Sequence, residues 1–220
     1  MNREREYIKP SPVYKIPKDV LDEYHKIRDD ILDNNIIPDR YPESIIDDFV
    51  GSFRLREDYC KYISWCLVSN SWIDPLYNII KGSNCIELYA GRGILSKLLQ
   101  DRGLKIEAYD DFSWNYRNYQ FTDVINKDAL AVVKEYKSNL DYILMSWVPY
   151  QDSTINKVAK AIKKYHPETT IIWIGEDYGG CNGTDKFFEM TREVNELWEV
   201  NDNFQQWDGL HDRVVMLKMK

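Results

Sequence analysis

Two features close together in the chain could bind an adenosine-containing ligand. The turn Gly91-Arg92-Gly93 directly follows an apolar run, and Asp110 ends the next apolar run. Glycines let a ligand approach the backbone because no Cβ is in the way, and a helix that starts there offers unpaired N–H groups. A carboxylate at the tip of the next strand can accept two hydrogen bonds from a ribose diol. The alternative is an ordinary tight turn.

The elements around these residues follow from hydrophobic periodicity. Residues 85–90 predict a buried strand, and apolar residues at helical spacing then continue to Gly103, where a helix would stop. Residues 105–109 predict a second strand. The order is strand, glycine turn, helix, strand and acid. In such α/β units ligands bind beyond the carboxyl ends of the strands.

The segment Glu87-Leu88-Tyr89-Ala90-Gly91-Arg92-Gly93 resembles the first motif of the S-adenosylmethionine-dependent methyltransferases with a Rossmann-like fold. In that family an acidic residue in strand one precedes a G-x-G turn, and an aromatic residue at the position of Tyr89 is familiar. A dinucleotide fingerprint requires a third glycine, where this chain has Ser96. The resemblance spans residues 84–220.

The resemblance implies S-adenosyl-L-methionine as the cofactor. It places the glycine turn under the methionine part, Asp110 at the ribose hydroxyls and Asp128 at the adenine amino group. Phe112 would pack on the adenine and Ala129 would meet its ring edge. The alternative for any one of them is that Asp110 and Asp128 cap helices and that Phe112 lies in the core, but the occurrence of all of them in order favours the cofactor. The predicted cofactor-binding residues are Glu87, Tyr89, Ala90, Gly91, Gly93, Asp110, Asp111, Phe112, Asp128, Ala129, Ser146 and Trp147.

The predicted acceptor side follows the fourth strand, where the chain reads Trp147-Val148-Pro149-Tyr150. Many amino- and nucleobase-methylating members carry an N-P-P-Y-type motif there. Trp147 replaces the Asn or Asp that would bond the target amine, which disfavours base N-methylation. One interpretation is that Trp147 and Tyr150 line a pocket for an apolar or cationic substrate. The alternative is that both pack in the core. With Glu176 they are the candidate catalytic residues, in a reaction that needs mainly positioning and a dry pocket.

The alternation of apolar runs predicts the fold: α/β, a Rossmann-like doubly wound sheet, mostly parallel, with a C-terminal antiparallel hairpin and an N-terminal helical extension. The predicted strands three to five span residues 121–125, 141–147 and 169–175, the helices among them 130–136, 153–165 and 185–192, and the hairpin strands 197–206 and 213–219.

Residues 1–82 are predicted to form a proline-containing arm and a helical lid over the cofactor crevice, and residues 83–220 the methyltransferase domain. Helices are expected at 18–34 and 57–69, and a short one at 44–50. Asp74-Pro75 is expected to interrupt the chain before an apolar turn at 76–80.

Composition limits the function classes. The chain has 220 residues and a net charge of −7, the opposite of what a phosphate-backbone binder usually carries, so duplex nucleic acid is not favoured. No apolar run approaches membrane-spanning length, and the charged N-terminus does not resemble a signal peptide. The four cysteines show no zinc spacing, so no metal site is predicted and reduced thiols in the cytoplasm are expected.

The expected partners are therefore S-adenosylmethionine, S-adenosylhomocysteine and an unknown methyl acceptor. Two other classes stay open. One is an S-adenosylmethionine-binding module without catalytic activity that acts through a protein partner. The other is a nicotinamide-dependent oxidoreductase, against which the missing third glycine and the terminal hairpin argue.

Overall fold

The computed structural model describes residues 6–9, 16–47, 49–114 and 119–220. The chain divides into two compact units, Met1–Asn70 with Gln205–Leu210, and Ser71–Phe204 with His211–Lys220. Most of the predicted proline-containing arm, and part of the short helix predicted at 44–50, lie outside the described residues. The domain boundary at residue 82 and the lid stay predictions.

The described helices of the first unit are α1 Lys18–Asn34, α2 Glu43–Ile46 and α3 Phe49–Tyr62. The last of these differs from the helix predicted at 57–69, because it begins earlier and ends at Tyr62. The hydroxyl of Tyr59 accepts a hydrogen bond from Val68 N (3.2 Å), and that of Tyr41 donates to Val68 O (3.0 Å). The hydroxyl groups of Tyr59 and Tyr41 thus bond the backbone N–H and C=O of Val68, which in a longer helix would have formed helical hydrogen bonds.

A short C-terminal segment completes the first unit. The side chain of Gln205 accepts from Tyr41 N (2.7 Å) and donates to Tyr41 O (2.9 Å), as a neighbouring strand would. Trp207 is buried and packs edge-on against Tyr59, with 5.7 Å between ring centroids. This unit is therefore discontinuous in sequence.

Helix α4, Asn70–Ile80, precedes the sheet and contains Pro75 in its interior. The predicted interruption at Asp74-Pro75 is therefore wrong. A proline in a helix removes one backbone hydrogen bond. Here Pro75 is buried together with Trp72, Ile73 and Leu76, and this apolar packing offsets the loss.

The second unit contains a seven-stranded sheet in the order β3-β2-β1-β4-β5-β7-β6. Strands β1 to β5 run parallel, and β7 is antiparallel to both β5 and β6. The strands are β1 Cys85–Leu88, β2 Ile106–Asp110, β3 Val124–Asn126, β4 Tyr142–Ser146, β5 Thr170–Gly175, β6 Thr191–Asn195 and β7 Arg213–Met219. The predicted fold class is confirmed.

The helices of this unit after α4 are α5 Ile94–Asp101, α6 Ala129–Glu135, α7 Thr154–Tyr165, α8 Asp185–Met190 and α9 Trp198–Asn201. Strand β1 is buried along its whole length and β5 from Ile171 to Gly175, as expected of parallel strands covered on both faces. The strand order reverses between β1 and β4, and the carboxyl ends of these strands open the crevice at the switch point.

The terminal hairpin differs from the prediction in its first strand. That strand is Thr191–Asn195, directly after α8, whereas residues 197–206 contain α9 and no strand. Leu197 has φ 51°, which ends the extended chain. The Asn201 side chain then donates to Val214 O (2.7 Å) and accepts from Val214 N (2.9 Å), so this one amide bonds the backbone N–H and C=O groups that a neighbouring strand would have bonded.

Among the described helices, none has both the length and the apolar character needed to cross a bilayer.

Candidate functional site

The turn after β1 requires glycine. Tyr89, Gly91 and Gly93 all have positive φ values, at 58°, 55° and 73°. A Cβ at Gly93 would lie 2.7 Å from Val124 Cγ2 and 3.0 Å from Thr122 Cγ2, so no larger residue fits there. The chain enters α5 directly after this turn, with the helix N-terminus at the carboxyl edge of the sheet.

Asp110 ties this turn to the end of β2. Its Oδ2 accepts a hydrogen bond from Gly91 N (2.8 Å), and its Oδ1 accepts one from Phe112 N (2.7 Å). Burial raises the pKa of Asp110, and these two N–H donors oppose the rise. A carboxylate oxygen has two lone pairs, so each oxygen retains capacity for a ribose hydroxyl. The structure brings Asp110 and the glycine turn together.

Glu87 lies in the interior, with 2% of its surface exposed. Its Oε2 accepts from Ser96 N (3.0 Å) and from Ser96 Oγ (2.5 Å) in the first turn of α5. Burial raises its pKa to about 7, although the Ser96 hydrogen bonds lower it. The carboxyl group therefore holds α5 against β1, and its direct contact with a cofactor stays a prediction.

The residues predicted for the adenine have structural partners as well. Asp128 is the N-cap of α6, where its Oδ1 accepts from Ala131 N (2.9 Å). Phe112 has φ 55° and is 7% exposed, in a small apolar cluster with Ala90. Asp111 is exposed and accepts from the backbone N–H of residue 113. Capping and core packing account for these contacts, and roles at an adenine stay predictions.

The hydroxyl of Tyr89, in the turn after β1, is buried. Burial is the largest cause that raises its pKa, followed by the negative charges of Asp152, Asp128, Asp111 and Asp110. No group among the described residues forms a hydrogen bond with this buried hydroxyl. Asp110 is the last residue of β2, and the other three acids follow β2, β3 and β4. The turn after β1 therefore carries a buried, neutral hydroxyl whose hydrogen bonds the described residues do not satisfy.

On the predicted acceptor side, the backbone leaves β4 abruptly after Ser146. Trp147 has φ 47° and donates its backbone N–H to Ile174 O (2.9 Å). Its indole Nε1 donates to Asp212 Oδ2 (3.0 Å), just before β7. Tyr150 is 61% exposed, so it does not pack in the core. Trp147 is held in place by the neighbouring strands, whereas Tyr150 projects into solvent.

Glu176 organises the loop after β5. Its Oε2 accepts from Cys181 N (2.6 Å) and its Oε1 from His211 N (3.1 Å). Burial raises its pKa, but these hydrogen bonds outweigh burial and leave the pKa below its ordinary value. A carboxylate of lowered pKa with both oxygens engaged is a poor proton acceptor, which weighs against the catalytic role predicted for it.

The sequence interpretation missed Asn182, which lies in the loop after β5. It is 2% exposed, and its amide forms no hydrogen bond within the described part of the chain. Nothing in the sequence distinguishes it, because an asparagine directly before a glycine is typical of an exposed turn. Groups of side chains suited to a metal ion are absent from the described residues, and none of the four cysteines forms a disulfide.

No family model matches this sequence, and no curated protein matches it. Several solved structures are similar. A mutant of MtNAS is 13% identical over 92% of this chain and 88% of that chain, with a TM-score of 0.46. TehB from Haemophilus influenzae is 11% identical over 75% and 67%, with a TM-score of 0.43. An S-adenosylmethionine-dependent methyltransferase from Clostridium acetobutylicum is 11% identical over 76% and 98%, with a TM-score of 0.44. At these TM-scores the likenesses carry no functional argument.

Proposed function

We propose that the chain is an S-adenosylmethionine-dependent methyltransferase whose cofactor lies in the crevice beyond β1, β2, β3 and β4. The observation that carries the proposal is the glycine turn after β1, which is bonded to the carboxylate at the end of β2, where Asp110 Oδ2 accepts from Gly91 N (2.8 Å). S-adenosylmethionine carries a sulfonium and an ammonium group, which a negative site attracts. The pyrophosphate of a nicotinamide dinucleotide is repelled by the same charges.

The residues present fit such a cofactor. Asp110 is placed to accept from the ribose hydroxyls while it holds Gly91 N and Phe112 N. The Tyr89 hydroxyl lacks a partner in the described chain, and a polar ligand group would satisfy it. Gly93 lets the turn pack closely against Val124 and Thr122, and α5 then starts at the carboxyl edge of the sheet. The remaining predicted contacts, at Glu87, Ala90, Asp111, Asp128, Ala129, Ser146 and Trp147, belong to the proposal too.

The cofactor, when bound, supplies an electrophilic methyl group. The chain then has to position the acceptor and exclude water at the ends of β4 and β5. Trp147 and Tyr150 are the proposed contacts on that side. With its net charge of −7 the chain favours a small molecule or a protein as acceptor over duplex nucleic acid. A cytoplasmic location is part of the proposal, because the cysteines form no disulfide.

One observation favours a second candidate, a module that binds S-adenosylmethionine without catalysis and acts through a protein partner. Both oxygens of Glu176 are engaged by backbone N–H groups, and its pKa is lowered. A base is unnecessary only if the acceptor arrives with a free lone pair. Binding of cofactor without turnover on a broad panel of amines, thiols and phenols would select this candidate.

The proposal is tested by calorimetry and thermal melting with S-adenosylmethionine, S-adenosylhomocysteine and NADH in parallel. The first two are expected to bind and to raise the melting temperature, since a ligand of the native state stabilises it. Affinity for the cationic S-adenosylmethionine should fall as salt rises, because salt screens the carboxylates. Binding of NADH alone, with no response to the other two ligands at millimolar concentration, would refute the proposal.

A further inference from the structure

The buried amide of Asn182 has no role in the site described so far. Asn182 is 2% exposed, and neither its Nδ2 nor its Oδ1 has a hydrogen-bond partner among the described residues. Buried polar groups almost always have partners, and an exception calls for an explanation. The unpartnered amide indicates a polar group that the described chain does not supply.

Asn182 lies at the carboxyl edge of the sheet, between the ends of β4 and β5. Its amide packs over the last residue of β5, so that a Cβ at Gly175 would lie 2.6 Å from Asn182 Nδ2. The next residue, Gly183, donates to Val148 O (2.9 Å) and accepts from Gln151 N (2.9 Å). The amide is therefore held beside the segment that follows β4, which is the proposed acceptor side.

The surrounding backbone makes room for this amide at some cost. Gly175 has φ 140°, a value that side-chain-bearing residues rarely adopt, and a side chain there would overlap Asn182. An apolar residue at 182 would avoid the burial of a donor and an acceptor without partners. Two unfavourable features at one place suggest that the amide is kept for something that it binds.

A ligand reaches the amide only when the loop opens, because both polar atoms are shielded from solvent. The outer part of the loop is held by contacts near the surface. Gly179 N donates to Asp185 Oδ1 (3.1 Å) at an exposed position, and Arg213 pairs with the half-exposed Asp177 (2.6 Å). Water can replace such contacts at little cost. Opening around Asn182 also has to break the hydrogen bond from Cys181 N to Glu176 Oε2 (2.6 Å), whereas the strand ladder stays intact.

We propose that Asn182 anchors the methyl acceptor, and that the acceptor presents a neutral edge with an N–H donor beside a C=O acceptor, as in a lactam or a carboxamide. A carboxamide has one donor end and one acceptor end, so such an edge satisfies both with two parallel hydrogen bonds. A carboxylate or an ammonium group would leave one end unpaired. This inference rests on the proposed function, whose acceptor it describes.

The test uses 2-pyridone, which has this edge, and 1-methyl-2-pyridone, which lacks the N–H. Each is titrated into the full chain saturated with S-adenosylhomocysteine, and the amide NMR signals of Asn182, Gly175 and Gly183 are followed. We expect 2-pyridone to shift the side-chain signals of Asn182 and the methylated compound to leave them in place. In Asn182→Leu the affinity for 2-pyridone, read from the two glycines, should fall about ten-fold or more.

Two further measurements separate this role from a structural one. Asn182→Leu should melt no lower than the wild type, and its affinity for S-adenosylhomocysteine should stay within about two-fold, as one lost hydrogen bond would change it more. The matched control is Asn139→Leu, at an exposed position before β4 on the amino edge of the sheet, which should leave 2-pyridone binding unchanged.

The inference is overturned if 2-pyridone binds Asn182→Leu as tightly as the wild type, or if it leaves the Asn182 signals in place at millimolar concentration. A crystal structure with 2-pyridone in which an ordered water still bonds both amide atoms would overturn it too. If the wild type does not bind S-adenosylhomocysteine, the proposed function fails instead. The pyridone titration without cofactor then still decides whether Asn182 binds this edge.

Discussion

At the scale of single residues, Asp110 connects the glycine turn to the end of β2 and is the proposed ribose ligand. Asp110→Asn removes the charge at nearly constant size. We expect S-adenosylhomocysteine to bind about ten- to a hundred-fold more weakly, because a hydrogen bond to a charged group contributes about 1.5–3 kcal/mol. Calorimetry measures the change.

The matched control is Asp141→Asn. Asp141 also accepts a hydrogen bond from a backbone N–H, that of Asn84 (2.8 Å), but it precedes β4 at the opposite edge of the sheet. The control should bind the cofactor as the wild type does. Equal affinity of the Asp110 variant and the wild type would show that this carboxylate only stabilises the turn.

The raised pKa of Glu87 predicts that the stability of the chain depends on pH. Its ordinary pKa of 4.5 is raised to about 7 in the folded chain, chiefly by burial. Between these values the folded chain binds more protons than the unfolded chain, so the free energy of unfolding falls as pH rises through this window. Below pH 4.5 the stabilising contribution of the neutral acid is fully present, and above pH 7 it is lost.

Glu87→Gln removes this titration and keeps a hydrogen-bond acceptor for Ser96. Relative to wild type, the variant should gain roughly 3 kcal/mol between pH 4 and pH 8, since a pKa difference of one corresponds to about 1.4 kcal/mol. Urea unfolding at a series of pH values measures it. Glu107→Gln, at an exposed position on β2, is the control. Parallel stability curves of the Glu87 variant and wild type would contradict the assignment.

At the scale of elements, the strand–turn–helix unit depends on Gly93. Gly93→Ala introduces a Cβ at φ 73° and 2.7 Å from Val124 Cγ2. Gly82→Ala is a close match, because Gly82 has φ 79° and open space where its Cβ would lie. We expect the control to lose about 1–2 kcal/mol of stability from the left-handed backbone alone.

Gly93→Ala should lose about 1–3 kcal/mol more than this control, because atoms are forced into a packed region. Urea unfolding of both variants isolates the steric contribution. Equal losses would mean that Thr122 and Val124 move aside freely, and that the turn needs glycine only for its backbone angle.

At the scale of the whole molecule, the first unit is completed by residues from near the C-terminus. Trp207 is 1% exposed and packs on Tyr59, whereas Trp198 is 71% exposed on α9. Trp207→Ala should therefore reduce the free energy of unfolding by about 3–5 kcal/mol, the usual cost of a large cavity. Trp198→Ala, the matched control, should change it by no more than about 0.5 kcal/mol.

Hydrogen exchange of the amides in α1 and α3 tells where the loss occurs, and faster exchange is expected there in the Trp207 variant. Similar effects of the two tryptophan substitutions would show that residues 205–210 do not stabilise the first unit. The lid role of the N-terminal helices stays a prediction, which a structure with bound cofactor would test.

The predictions from sequence succeeded where the signal was local. The glycine turn, the helix after it and Asp110 at the end of β2 were readable because backbone angle and hydrophobic period are properties of short segments. The prediction failed at residues 197–206, where the amide of Asn201 pairs with β7, and at Pro75, which packing keeps within a helix. Both outcomes depend on groups that only the folded chain brings together.

The sequence by itself determined the alternation of strands and helices, the parallel sheet with an antiparallel end, and the position of the glycine turn after β1. Only the tertiary structure decided which acids act on the crevice. Glu87 and Glu176 are engaged in the interior, whereas the acids whose charges raise the pKa of Tyr89 lie at or after the ends of three strands. The burial of a group and the charges that act on it depend on all its neighbours in space. A pattern along the chain does not identify those neighbours. Asn182 shows the same limit, because only the folded chain buries its amide without a partner among the described residues.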